Sequence, residues 1–366
     1  MSYRLDLHGE MLLQQYHDRK PVYQKIDYIV FTKLSSMFSE QGLHINAMEH
    51  RIKTEDSLKG KLELKGSKYD SLSDITDILG LRIITFYNDD VDKIAAIVKS
   101  IFEVDWQESI DKRKQHELTS FGYNSLHYIC RIPKKLYFDP AMPELNEYRF
   151  EIQMRTALEH VWSTIEHDLG YKGGVKIPPE YRRQFSRLSG MLELIDDEFS
   201  RLRTNLTDYR RQIKSLVASG HLDEVSFNSD SYRSFLKTKP FEKLNQRIAA
   251  SNQAEIFPAP LMPFLPVLES FQLSTLADVK QFIDDNSDDA YQLAISQLAL
   301  TDLDIISENI GLLNLCIVHS LKQGSGRDGL KQLFDILWGN RQENEHLADI
   351  TMEQAQDLRF MQSVKP

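Results

Sequence analysis

The chain has 366 residues, 41% of them apolar and 27% charged. That is enough for about two domains at roughly 150 residues each, and it excludes a disordered chain. A net charge of −10 speaks against broad, sequence-independent nucleic-acid binding, and no apolar run reaches the ~20 residues of a membrane helix, so no membrane partner is expected.

The N-terminal stretch MSYRLDLHGEMLLQQYHDRK lacks the apolar core of a signal peptide. Cys130 and Cys316 are far apart and apolar-flanked, which predicts buried thiols in a cytoplasmic protein and no disulfide. Residues 5–40 have apolar side chains at helical spacing, with Pro21 as a break. A short extended segment, 44–53, follows. Residues 54–78 are helical at both ends around a Gly/Lys/Ser linker. Leu79–Phe86 is a strand rich in β-branched residues, and Asp90–Phe102 is an amphipathic helix. Three strands (103–110, 125–132 and 148–154) and a helix (156–169) complete the series. The alternation predicts an α+β fold: a mixed sheet of about five strands with flanking helices. A long helix is expected over 179–218. After the proline-bearing run 257–266, short helices are expected at 275–284, 287–299, 303–322 and 326–338. Residues 221–366 hold 12 Lys/Arg against 21 Asp/Glu, so the acidity lies in this C-terminal part.

Four clusters in the first half carry chemistry. Arg51, Lys53, Ser57, Lys59 and Lys61 gather at a strand end and the next helix, where cations, a hydroxyl and the helix N-terminus suit a triphosphate; a solvated basic face has the same pattern. Asp77 precedes the buried strand and is placed to hold Mg²⁺ at a sheet edge, although Asp is also common in turns. Arg82 inside that strand needs a partner or a cleft, and its flat guanidinium can stack on a base. In Phe121-Gly-Tyr123-Asn124-Ser-Leu-His127, a glycine loop enters a strand; Tyr123 can form a platform for a base and His127 can bond a phosphate. In Glu151-Ile-Gln153-Met-Arg155-Thr156, strand alternation puts the acid, the amide and the guanidinium on one face and the apolar residues on the other. Thr156 can cap the helix that follows.

Together these segments resemble the synthetase domain of the RelA/SpoT family, the enzymes that make the alarmones ppGpp and pppGpp. The family pattern runs Arg-x-Lys-x-x-x-Ser-x-x-x-Lys, Asp-x-x-Gly-x-Arg, Gly-Tyr-x-Ser-x-His and Glu-x-Gln-x-Arg-Thr, and each part occurs in order within 51–156. The resemblance implies a nucleotidyltransferase-like sheet and a Mg²⁺-dependent transfer of pyrophosphate from ATP to the 3′-hydroxyl of GDP or GTP. It also implies roles. Arg51 and Arg82 would flank adenine, and Lys53, Ser57 and Lys61 would hold the ATP phosphates. Asp77 and Glu151 would bind the metal, with Glu151 placed to activate the acceptor. Tyr123, Asn124, His127, Gln153 and Arg155 would bind the acceptor. The lysine that many members carry just before the Gly-Tyr pair is absent here, which leaves the acceptor open: the 3′ end of tRNA or another nucleotide is the second reading and a catalytically inactive nucleotide sensor the third. About 45 residues precede the match, too few for a hydrolase domain, so no alarmone hydrolysis is expected.

The expected organisation is a synthetase domain over 1–175, a connecting helix over 176–220 and an acidic, mainly helical accessory or regulatory region over 221–366. That region would serve self-association into a homo-oligomer or restraint of the active site. The Asp284–Asp289 run reads as a solvated turn capping the next helix, since it lacks the glycine and the terminal glutamate of an EF-hand. Cys316 and His319 fall on an apolar helix and read as core.

Overall fold

The computed structural model describes residues 5–114, 125–171, 179–299 and 303–363. They form two compact units, 1–204 and 205–366. The boundary between the units falls inside one long helix.

The first unit follows the order α1 (Leu7–Glu40), β1 (Ile45–Ile52), α2 (Glu55–Lys65), β2 (Leu79–Thr85), α3 (Asn88–Ile101), β3 (Glu103–Asp111), β4 (Leu126–Arg131), β5 (Phe150–Thr156), α4 (Ala157–Tyr171) and the start of α5 (Pro179–Ser219). The strands form a mixed five-stranded sheet in the order β1-β2-β5-β4-β3, with β2 and β5 parallel and the other pairs antiparallel. Alternation splits the sheet. Leu79, Leu81 and Ile83 of β2 and Phe150, Ile152 and Met154 of β5 enter the core with Leu12, Tyr16, Ile26, Val30 and Leu34 of α1 and Val91, Ile94 and Val98 of α3. The opposite face keeps the polar residues.

Pro21 does not break α1. The turn before it is pinned by buried Leu12 and Tyr16 and the turn after it by Val22, Tyr23 and Ile26, and this burial offsets the roughly 3 kcal/mol that a missing hydrogen bond and ring clash cost. At the far end of the unit, α5 is tied down by Arg203, which lies 4.1 Å over the Tyr87 ring and pairs with Asp89 and buried Asp90.

The second unit continues from the last turns of α5 through α6 (Ser229–Leu236), α7 (Glu242–Asn252), β6 (Glu255–Phe257), α8 (Leu265–Ser270), α9 (Leu276–Leu298), β7 (Ile305–Ser307), α10 (Ile310–Lys322), α11 (Gly326–Trp338) and α12 (Glu343–Ala355). Its separate core includes Tyr232, Phe241, Leu276, Leu293, Leu315, Cys316 and Phe334. Two expectations are corrected here. The segments 275–284 and 287–299 are one helix, α9, and the Asp284–Asp289 run lies inside it instead of forming a turn. The acids are neutralised laterally: Lys280 pairs with Asp284 and Lys322 with Asp289, while buried Asn286 donates to the Phe282 carbonyl. The expected helix 303–322 begins only at Ile310, because Ile305–Ser307 pairs in parallel with Glu255–Phe257. Cys130 and Cys316 are buried free thiols. His319 packs between Phe271 and Phe282 at ring distances of 4.5 and 5.2 Å, and burial, with Lys322 nearby, keeps it below its usual pKa. No helix among the described residues is long and apolar enough to cross a membrane.

Candidate active site

Strand register builds the site on the polar face of the sheet. Glu49 of β1 lies opposite Arg82 of β2, which lies beside Gln153 of β5, which faces His127 of β4. The next row runs Arg51, Gly80, Glu151 and Ile129. A cavity of about 340 Å³ opens over these rows, lined by Glu49, His50, Arg51, Asp77, Gly80, Leu81, Arg82, Glu151 and Gln153. Gly80 forms its open floor, since a Cβ built there would meet nothing within 4 Å.

One side of the cavity is cationic. Asp77 receives Lys61 at 2.6 Å and Lys53 at 3.0 Å. Burial opposes the charge on Asp77, yet the two ammonium groups hold its carboxyl below the usual range. Burial likewise works against the charge of Lys61, and the bond to Asp77 more than restores it, raising its pKa. The backbone fixes this arrangement: the Lys53 N–H donates to the Ile78 carbonyl at 2.7 Å, and the Lys53 carbonyl accepts from the Tyr16 hydroxyl of α1 at 2.7 Å. Thr54 then caps α2 by accepting from the Ser57 N–H, which leaves the exposed Ser57 hydroxyl in the first turn, where helix N-termini favour anions.

A second group centres on Glu151. Its Oε1 lies 2.7 Å from His127 Nδ1 and its Oε2 accepts from Gln153 Nε2 at 3.0 Å. Burial pushes the carboxyl up, but His127 first and Gln153 next pull it down, and it ends below its ordinary value despite the nearby charge of Asp77. Buried Ser125 closes the chain, with its hydroxyl 2.6 Å from His127 Nε2. Because Nδ1 faces a carboxylate it carries the proton, so the Ser125 hydroxyl donates to Nε2 when the ring is neutral.

Of the residues expected from sequence, Arg51, Asp77, Arg82, Glu151 and Gln153 line the cavity, with Lys53 and Lys61 bonded to Asp77 and His127 to Glu151. Arg82 is not a lone stacking plate: its Nη1 donates to Glu49 Oε2 at 2.8 Å. Arg155 shares the face of Glu151 and Gln153 but is only 3% exposed and lies off the cavity wall. Tyr123 and Asn124 fall outside the described residues. Glu49 escaped the sequence reading, and Ser125 was present in the Gly-Tyr-x-Ser-x-His pattern without a role. The period-2 alternation of Glu49 with Arg51 carried the signal for the first, and the spacing of Ser125, just before β4, from His127 carried it for the second.

Three carboxylates line the cavity, and two of them, Asp77 and Glu151, are the ones that would hold a metal ion. Among the described residues no group of three or more His, Cys, Asp or Glu side chains is arranged around a metal position. That composition suits Mg²⁺, a hard ion that takes one or two carboxylates and completes its shell with water and substrate phosphates.

Residues 50–176 match the family described as "Region found in RelA / SpoT proteins". The chain is 28% identical over 156 residues to GTP pyrophosphokinase YjbM of Bacillus subtilis, covering 42% of this chain and 69% of that protein. It is also 28% identical over 178 residues to GTP pyrophosphokinase YwaC of the same organism, covering 46% and 80%. A crystal structure of the small alarmone synthetase 1 from Bacillus subtilis bound to its product pppGpp superposes with a TM-score of 0.45 and 24% identity, over 53% of this chain and 99% of that one. The motifs and the sequence match fall on the same stretch: residues 50–176 of this chain are similar to the region found in RelA / SpoT proteins.

Proposed function

We propose that this chain is a GTP pyrophosphokinase that transfers pyrophosphate from ATP to the 3′-hydroxyl of GDP or GTP. The observation that carries the reading is the pairing, on one cavity, of a half-buried, hydrogen-bonded Glu151 carboxylate with the Asp77–Lys53–Lys61 cluster. Both named relatives are GTP pyrophosphokinases, which supports the reaction class.

In this reaction the acceptor 3′-oxygen attacks the β-phosphorus of ATP, the bond from that phosphorus to the bridging oxygen of the α-phosphate breaks, and AMP leaves with the electron pair. Lys53, Lys61 and Ser57 hold the donor phosphates, as ammonium and hydroxyl donors suit. Arg51 and Arg82 flank the donor base. Glu151, ionised near neutral pH, accepts the proton of the attacking hydroxyl, and His127 and Gln153 keep both its oxygens in place. Asp77 and Glu151 are the residues that would hold Mg²⁺, which when bound neutralises charge on the phosphates. His127 and Gln153, with Tyr123 and Asn124, receive the acceptor.

The test is incubation of the full chain with Mg²⁺ and γ-labelled ATP and, in separate reactions, GDP, GTP, GMP, ATP or bulk tRNA. Label should appear on GDP or GTP. In Glu151→Gln, turnover should fall by roughly a hundred- to ten-thousand-fold while nucleotide binding persists. Label on tRNA alone would move the acceptor assignment to tRNA, and nucleotide binding without any label would leave a sensor in place of an enzyme.

A further inference from the structure

The floor of the cavity contains a small repeating patch. Glu49 and Arg51 lie two apart on β1, Gly80 and Arg82 two apart on β2, and the register sets Glu49 opposite Arg82 and Arg51 opposite Gly80. Strand spacing and rise give the patch sides of about 5 and 7 Å. Two corners carry guanidinium groups, and the Gly80 corner is open. The fourth corner, Glu49, is the patch's side-chain hydrogen-bond acceptor. Its carboxylate is 50% exposed, and Arg82 Nη1 occupies one direction on Oε2 at 2.8 Å. An ionised carboxylate accepts only and offers about four lone-pair sites, so it keeps capacity for a ligand.

We infer that Glu49 selects the base of the donor nucleotide: its carboxylate accepts a hydrogen bond from a 6-amino purine and rejects a 6-oxo purine. This rests on the proposed reading of the cavity as a donor-nucleotide site. Adenine presents an N6 amino donor where guanine presents an O6 acceptor. Facing Glu49, the amino group gains a charge-assisted bond, whereas the carbonyl sets lone pairs against a carboxylate. The pair with Arg82 also makes this corner a poor place for phosphate, since its guanidinium charge is already compensated. The phosphates are directed to the lysines around Asp77, and the donor enters in one orientation. A site built to bond a particular substrate group discriminates strongly against analogues that lack it.

The experiment compares γ-labelled ATP, purine riboside triphosphate (no 6-substituent) and inosine triphosphate (6-oxo) as donors to GDP, in the wild-type chain and in Glu49→Ala. Wild type should favour ATP over purine riboside triphosphate by roughly ten- to a hundred-fold in kcat/KM, with inosine triphosphate weaker still. In Glu49→Ala these ratios should collapse to within about threefold. Glu49→Gln, which keeps the shape and can turn an amide N–H toward a 6-oxo group, should narrow the gap between ATP and inosine triphosphate. If Glu49→Ala slows all three donors equally, Glu49 only props Arg82 and the inference falls. If the wild-type preference survives in both variants, the base is read elsewhere and the inference falls. A wild-type chain that transfers no label from any donor overturns the parent reading as well, which sets that failure apart from the other two.

Discussion

Gly80 shows how one residue serves the cavity by having no side chain. It sits in the interior of β2, where glycine costs conformational entropy and packs nothing, and its φ is not in the left-handed region. A β-branched residue therefore fits the backbone, and the space above it is open. Gly80→Val should fold with an unchanged or slightly higher Tm, because β-branched residues favour strands, yet raise the KM for ATP roughly tenfold or more by filling the donor floor. Thermal unfolding and donor titration of the same sample check both halves; an unchanged KM would move the donor off this patch. Part of the site was legible at this scale because period-2 alternation assigns faces: Glu151, Gln153 and Arg155 were placed together, whereas Arg51, Asp77 and Arg82 were read from separate segments and joined only by what the resemblance implies. Alternation does not say how far along a strand the open cavity extends. Arg155 keeps the correct face yet is buried. Glu49 was passed over because an acid on an edge strand usually reads as solvated surface.

At the scale of elements, the junction of β5 and α4 holds a titratable network. The Thr156 N–H donates to Glu159 at 2.8 Å and its hydroxyl to Asp196 of α5 at 2.5 Å. Burial pushes Glu159 up to about 7, against the Thr156 bond and with help from Asp196. Burial also raises Asp196 to about 6, with Asp197 adding to it. Both folded values exceed the ordinary 4.5 and 3.8, so between those values and the folded ones the folded chain keeps protons that the unfolded chain has lost. Stability from this network is therefore fully present below the ordinary range and falls as pH rises through about 6 to 7. Asp77 and Glu151, with lowered values, act in the opposite sense and only at more acidic pH. Glu159→Gln should flatten the decline of Tm between about pH 5 and 8 and recover on the order of 1–3 kcal/mol at pH 8. Equal slopes for wild type and variant would remove Glu159 from the account. Sequence located the helices on either side of this junction but misjudged two others for the same reason. Pro21 in α1 and the acidic run in α9 are local breakers by propensity, and tertiary contacts outweigh them: buried side chains on both sides of Pro21, and lysines from α9 and α10 around the acids.

At the scale of the whole molecule, α5 carries a pattern that its 41-residue length partly hid. Tyr181, Leu188, Ile195, Leu202, Tyr209 and Leu216 recur every seven residues, and Phe185, Leu192, Phe199, Leu206 and Ile213 follow each of the first five by four. That is a continuous heptad seam with every core position apolar. Within the first unit the helix already packs through its neighbouring column, where Ser189 and Asp196 are buried. The middle of the seam stays open, with Leu188 52%, Ile195 41%, Phe199 49% and Leu202 54% exposed, whereas Ile213 is buried and Phe185 lies edge-on to Trp162. A strict 3.5-residue repeat keeps its stripe on one side only against another supercoiling helix, and charges along the helix alternate in blocks: Arg183 and Arg187, then Glu193, Asp197 and Glu198, then Arg201. Two antiparallel copies would set the first basic block against the acidic block of the other, and pairing of two chains through this stretch is an outcome that can be tested. Light scattering coupled to size-exclusion chromatography should give an even multiple of 42.5 kDa at micromolar concentration. Leu188→Lys with Leu202→Lys, two exposed positions whose change spares the core, should return the mass to a single chain. Leu188→Ala with Leu202→Ala keeps helix propensity and should weaken association roughly tenfold or more. A wild-type chain that stays single, or an assembly that both double variants leave intact, would show that the seam is covered some other way.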